Sequence, residues 1–126
     1  MIDLYPLLLG LAAVLAFLTY GLLRSSKAER TAESELFEKF GVGIRTHRLL
    51  SSDLGGKKPK IFLANQHVTG VPDAIFQERE TRAILIGEFK GRYYRGHVRP
   101  YERFQVVLYM GLAIRRFRTQ NVSAVL

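Results

Sequence analysis

Cysteine is absent from this chain of 126 residues. Its absence excludes a disulfide scaffold, a Cys-based zinc site, thiol catalysis and a redox motif. It leaves the compartment open, because reducing and oxidising ones tolerate a cysteine-free chain equally. Internal repeats and low-complexity tracts are also missing. The length leaves room for one small domain, which excludes a multidomain enzyme. Acid is scarce: 11 Asp and Glu stand against 19 Lys and Arg, for a formal net charge of +8. Charge of either sign is missing from residues 4–23, and every Lys and Arg lies from Arg24 onward.

That charge-free stretch reads LYPLLLGLAAVLAFLTYGLL. Twenty helical residues at 1.5 Å each span roughly the 30 Å hydrocarbon layer of a bilayer. Tyr5 and Tyr20 stand near its ends, where aromatic belts form. Pro6 falls in the first turn, where its missing N–H costs little. A cleaved signal peptide would carry its basic residues before the apolar run, whereas here Arg24, Lys27 and Arg30 follow it. A buried core helix would rarely run twenty residues without charge. Residues 1–23 are therefore expected to be a single-pass transmembrane anchor. The positive-inside rule puts the following domain in the cytoplasm, at a bacterial inner membrane.

Residues 24–31 are polar and read as a juxtamembrane link, leaving 32–126 as the soluble domain. Residues 32–42 predict an amphipathic helix, with Leu36, Phe37 and Phe40 at helical spacing and Gly41 as its stop. Thr46 to Ser52 predicts a strand. The Gly- and Pro-containing turn 53–59 leads to Lys60–Asn65, read as its returning hairpin partner. Further strands are predicted from Val71 to Gln77 and from Arg82 to Lys90. The second is the most apolar and so the expected sheet centre. Tyr101 to Arg118 predicts a helix whose apolar face is Phe104, Val107, Leu108, Gly111 and Leu112. Asn121–Leu126 predicts a last strand. The chain stops abruptly on an apolar strand residue, and a truncated C-terminus is expected. The fold class is α/β: an anchor helix, then helix, three strands, helix, strand.

Two strand candidates carry chemistry. Pro72-Asp73 opens one, and Glu88-Phe89-Lys90 closes the next. Alternate strand side chains share a face, so Glu88 and Lys90 point together and Phe89 points to the opposite layer. If the strands pair as a hairpin, Asp73 approaches Glu88. Two carboxylates make an oxygen-rich site suited to Mg²⁺ or Mn²⁺. Such a metal lowers the pKa of bound water and neutralises charge developing on a phosphate. A neighbouring lysine orients or helps deprotonate that water. Charges ending a strand that is otherwise apolar on both faces need such a reason, because an unpaired buried charge is costly.

Gly70-Val-Pro-Asp73, Glu88-Phe89-Lys90, their separation of 15 residues, and Gln105-Val-Val-Leu-Tyr109 on the following helix together resemble the PD-(D/E)xK nuclease superfamily. The last motif resembles its RecB-like exonuclease branch. The resemblance covers residues 32–126 and implies a restriction-endonuclease-like core. It implies Asp73, Glu88 and the Phe89 carbonyl as metal ligands. Lys90 would be the catalytic lysine, with Gln105 and Tyr109 as supporting site residues. For an upstream ligand it leaves Glu35, Glu38, His47 and His67 open. It does not account for the membrane anchor.

Basic residues cluster late, with Lys90, Arg92, Arg95, Arg99, Arg103, Arg115, Arg116 and Arg118 against the single acid Glu102. Tyr93, Tyr94 and Tyr101 lie among them. Arg92, Arg95, Arg99 and Arg116 are the expected contacts to a nucleic-acid backbone, bound without sequence preference. A basic face held near anionic lipid is the competing reading. His97 reads as a loop residue. Gly55-Gly56-Lys57 lacks the upstream Gly and following Ser or Thr of a phosphate-binding loop. Asn121-Val122-Ser123 reads as an accidental glycosylation triplet.

The sequence thus predicts a membrane-anchored, metal-dependent deoxyribonuclease. The alternative is a non-catalytic membrane-anchored protein that binds nucleic acid or a partner with a nuclease-like fold. DNA against RNA, exonuclease against endonuclease, and oligomeric state stay open.

Overall fold

A computed structural model describes residues 5–56, 58–91 and 96–126. The first helix, α1 (Tyr5–Lys39), is continuous over 35 residues. Its first part, through Leu23, is apolar and wholly exposed, and this part is long and apolar enough to cross a membrane. The polar stretch 24–31, expected to be a link, continues the helix instead. No Gly or Pro stands between Leu22 and Phe40, so nothing interrupts the backbone ladder. Gly41 ends it in the left-handed region at φ 64°. The Val42 N–H reaches back 2.9 Å to the Phe37 carbonyl, a Schellman-type stop.

Among the described residues six strands follow: β1 (His47–Ser52), β2 (Leu63–Ala64), β3 (Thr69–Gly70), β4 (Ala74–Glu78), β5 (Ile84–Gly87) and, after the helix α2 (Pro100–Phe117), β6 (Val122–Val125). The main sheet has the order β1-β4-β5-β6. The first two pairings are antiparallel, and β5 and β6 are parallel through the α2 crossover. Leu50 is an extra residue in β1, a bulge against β4. As expected, β5 lies inside the sheet rather than at its edge.

Two further predicted features differ. Lys60–Asn65 does not pair with β1; its Leu63-Ala64 pairs with Thr69-Gly70 in a separate ribbon. The cause is local. Asn65 Oδ1 accepts the N–H groups of His67 and Val68, each at 2.8 Å, which closes a tight turn. The ribbon then seats Leu63, fully buried, beside Tyr109 of α2. The second difference is the face of α2. Phe104 and Val107 of the expected core face are exposed, whereas Glu102, Val106, Tyr109, Leu112 and Ala113 are buried. Of the expected face, only Leu112 is fully inside.

The sheet is sandwiched between two apolar layers. Ile75, Ile84 and Ile86 meet Tyr109, Leu112 and Ala113 of α2. Ala74, Phe76 and Leu49 meet Leu36, Phe37 and Phe40 at the end of α1. The Phe37 and Phe40 rings stand 5.1 and 5.7 Å from the Phe76 ring in tilted and edge-on arrangements. Period-two alternation thus sends Ile84 and Ile86 toward α2 and Gly87 toward α1. A methyl group on Gly87 would stand 2.9 Å from the Phe40 ring, so this position admits little but glycine.

Candidate functional site

The hairpin register places the candidate site. Ala74 pairs with Gly87, so Asp73 and Glu88 come next on the two strands. By alternation both belong to the α2 side of the sheet. Asp73 Oδ2 accepts the Phe89 N–H at 2.7 Å, which ties the start of one strand to the end of the other. The Glu88 backbone is held in turn, its N–H donating to the Val125 carbonyl at 3.0 Å.

Glu88 is 5% exposed. Its Oε1 accepts from Lys90 Nζ at 2.9 Å and from Gln105 Nε2 at 2.6 Å. Lys90 Nζ also donates to Gln105 Oε1 at 2.9 Å, so Glu88, Lys90 and Gln105 close a ring. Gln105 Nε2 lies 3.3 Å from the Tyr109 hydroxyl, which donates to the Val71 carbonyl at 3.4 Å. The chain of bonds runs from β5 across α2 to the segment before Asp73. A methyl group on Gly70 would stand 2.4 Å from the Tyr109 ring. Gly70, the first residue of the Gly-Val-Pro-Asp segment, therefore lies directly on that ring.

Burial pulls the Lys90 ammonium down, but the Glu88 hydrogen bond and the charges of Glu88, Asp73 and Glu102 outweigh it. Its pKa is raised above the ordinary lysine value. Lys90 is thus a fixed cation at neutral pH, suited to orienting or stabilising an anion rather than to accepting a proton.

Glu88 Oε2 is buried and has no hydrogen-bond partner among the described residues. An orphaned carboxylate oxygen, with Asp73 next on the paired strand, fits a hard divalent cation, which commonly takes one or two carboxylates and completes its shell with water. Asp73, Glu88 and the Phe89 carbonyl are the residues that would hold it. Among the described residues no group of three or more His, Asp or Glu side chains gathers for a metal.

The upstream candidates do not join this site. His47 pairs with Glu78 at the opposite end of the sheet, and its Nδ1 is engaged by the Thr46 hydroxyl at 2.9 Å. His67 lies exposed in the 65–68 turn. Glu35 and Glu38 are exposed on α1, which packs on the other face of the sheet. Of the expected phosphate contacts, Arg92 and Arg95, like Tyr93 and Tyr94, fall outside the described residues. Arg99 caps α2 and donates to the Tyr101 hydroxyl at 3.4 Å. Arg116 is exposed, eleven residues or about 16 Å along α2 from Gln105.

The places of two residues escaped the sequence reading. Glu102 is 1% exposed and accepts the Arg99 N–H at 2.9 Å, fixing the start of α2. Its place three residues before Gln105, as the single acid in a basic run, was the available signal. Lys39 Nζ lies 3.9 Å from the Phe89 ring centroid, so the last turn of α1 grips the residue between Glu88 and Lys90. No sequence signal pointed to that contact. Comparison of this chain with protein-family models, with curated proteins and with solved structures yields no match.

Proposed function

We propose that this protein is a membrane-anchored, divalent-metal-dependent nuclease that hydrolyses DNA phosphodiester bonds. The observation that carries the reading is the Glu88 carboxylate. One oxygen is held by Lys90 and Gln105, the other is buried with no partner among the described residues, and Asp73 follows on the paired strand. The order of helix, strands, helix and strand, with its PD and E-x-K elements on one hairpin, supports a PD-(D/E)xK-type core.

When bound, Mg²⁺ or Mn²⁺ supplies an activated water and neutralises charge on the phosphate. The protein's own part is positioning. Asp73 and Glu88 present oxygen ligands from adjacent strands. Lys90, kept cationic, stabilises negative charge at the scissile phosphate. Gln105 holds Lys90 and Glu88 in register, and Tyr109 anchors Gln105 to the Val71 carbonyl. Basic side chains around α2, Arg99 and Arg116 among them, attract the nucleic-acid backbone. Residues 4–23 hold the domain at the membrane, with the Arg24, Lys27 and Arg30 side in the cytoplasm.

One observation favours a second reading, a non-catalytic nucleic-acid-binding or adaptor protein. Lys90 is already paired with Glu88. The test is cleavage of linear and circular DNA by the full chain in detergent, with Mg²⁺ or Mn²⁺ and with chelator. Glu88→Gln and Lys90→Ala run beside it. Metal-dependent cutting lost in both variants is expected, and survival of the circle would make the enzyme an exonuclease. DNA binding without cutting would establish the second reading instead.

A further inference from the structure

The end of the sheet opposite Glu88 carries its own charge cluster. Arg48 of β1, Gln77 and Glu78 of β4, and Arg79 and Arg82 of the β4–β5 turn line one open hollow of about 120 Å³. About 13 Å of strand separates it from Glu88, because Gln77 pairs with Ile84, four residues before Glu88 on the same strand. Three guanidiniums share the hollow with one carboxylate. Glu78 Oε2 is engaged by the Thr81 hydroxyl, and among the described residues none of the three arginines makes an ion pair. The cluster is held in place from beneath its charges. Gln77 is 8% exposed; its Oε1 accepts from Arg48 Nε at 3.0 Å, and its Nε2 donates to the Arg82 carbonyl at 3.2 Å. One buried amide thus fixes a guanidinium on β1 and the backbone of the turn. The turn is closed further by the Arg79 N–H, 2.8 Å from the Thr46 carbonyl, and the Arg82 N–H, 3.1 Å from the Glu78 carbonyl. Arg82 itself stands at φ 63°, in the left-handed region where glycine is usual.

We propose that this hollow is an anion site that takes a phosphate group. All three of its cations are arginines. A guanidinium stays charged at any physiological pH, and its planar fork matches two phosphate oxygens at once, which a lysine cannot do. Like charges gathered without a counter-ion repel one another, and a bound dianion reverses that sign. The hollow is large enough for one phosphate group with a few waters. Strained backbone kept by a residue other than glycine is characteristic of sites where the side chain is needed. Arg82 is such a residue, and its guanidinium lines the hollow. The phosphate can be a diester of a nucleic-acid backbone or a free phosphate or monoester, since each presents the same oxygens. Asp73, Glu88 and Lys90 contribute nothing here, so the site stands independently of the nuclease reading.

The test is calorimetric titration of the full chain in detergent with inorganic phosphate, at constant ionic strength and with chelator present. Saturable binding is expected. Arg79→Gln and Arg82→Gly should each weaken it about tenfold or more, the usual effect of losing a charge-assisted hydrogen bond. Lys27→Gln, which removes an exposed charge from α1, should leave it unchanged. Glycine accepts the left-handed angle of position 82 without steric cost, so Arg82→Gly should melt no lower than the unmodified chain. That variant therefore separates loss of binding from loss of fold. A second arm titrates a single-stranded oligonucleotide without terminal phosphates. Weaker binding of both phosphate and DNA by Arg82→Gly would assign the site to backbone diesters. Weaker phosphate binding with DNA binding absent or unchanged would assign it to free phosphate or a monoester. No saturable phosphate binding, or equal binding by the unmodified chain and both arginine variants, would overturn the proposal.

Discussion

The amide of Gln105 donates to the Glu88 carboxylate over 2.6 Å, joining the middle of α2 to the end of β5 across 17 residues of chain. The same side chain accepts from Lys90, so one residue keeps both charged groups in place. Gln105→Leu should therefore destabilise the protein by about 1–3 kcal/mol, the usual effect of depriving a buried polar group of its partner. On the proposed function it should also lower cleavage about tenfold or more, equivalent to 1.4 kcal/mol or more at the transition state. Thermal unfolding in detergent and a cleavage assay read the two effects. An unchanged melting temperature would show that the bridge holds nothing.

Lys90→Met removes the cation beside a nearly buried carboxylate. Breaking a buried pair typically costs about 3–5 kcal/mol. The low end is expected here, because the Lys90 side chain keeps 20% exposure. Adding Glu88→Gln should recover most of the loss. A double-mutant cycle measures the coupling, and additive effects would mean that the 2.9 Å contact is energetically idle.

The raised Lys90 pKa also sets a pH dependence. A lysine whose folded pKa exceeds its unfolded one adds stability that is complete below the unfolded value, about 10.5. That stability is lost as pH rises through the folded value. Denaturation midpoints should thus be insensitive to this group near neutrality and fall in alkali above about 10.5. Lys90→Met should abolish that part of the alkaline fall. An identical alkaline profile in the variant would contradict the assignment.

Gly70 and Gly87 are set by close approach rather than by backbone angle. An added methyl would stand 2.4 Å from the Tyr109 ring at Gly70 and 2.9 Å from the Phe40 ring at Gly87. Each Gly→Ala change should cost about 1–3 kcal/mol by overpacking. Gly70→Ala should be partly rescued by Tyr109→Leu, whereas Gly87→Ala should not. Melting temperatures of the four variants decide the point, and a neutral Gly70→Ala would mean that the ring moves aside freely.

The anchor makes its own prediction. The full chain should stay with membranes after an alkaline carbonate wash. Leu15→Arg, in the middle of the apolar run, should weaken insertion by about 2.5–3.5 kcal/mol. Release of the unmodified chain by carbonate would sink the membrane-spanning reading.

Much of the architecture is legible from local chemistry. The uncharged run through Leu23, the helical spacing of Leu36, Phe37 and Phe40, and the period-two placement of Glu88 and Lys90 each depend on neighbours in sequence. The hairpin joining Asp73 to Glu88 follows from 15 residues and one charged turn. Even the unexpected continuity of α1 was written locally, since residues 24–31 contain no helix breaker. The end of the Lys60–Asn65 segment was likewise decided by Asn65, whose side chain closes a tighter turn than the one assumed.

Other features depended on residues far apart. Both faces of α2 are apolar, so hydrophobicity could not choose between them. Packing chose the one that also gives Gln105 and the Tyr109 hydroxyl partners at Glu88, Lys90 and Val71. The same packing buried Glu102, placed Lys39 over Phe89 and left His47 at the far end of the sheet. Sequence alone therefore determined the membrane-length helix, the strand hairpin and the shared face of Glu88 and Lys90, because their periods are short-range. Only the tertiary structure decided which polar groups meet, because a buried donor or acceptor takes whatever distant partner the packed layers bring within hydrogen-bonding reach.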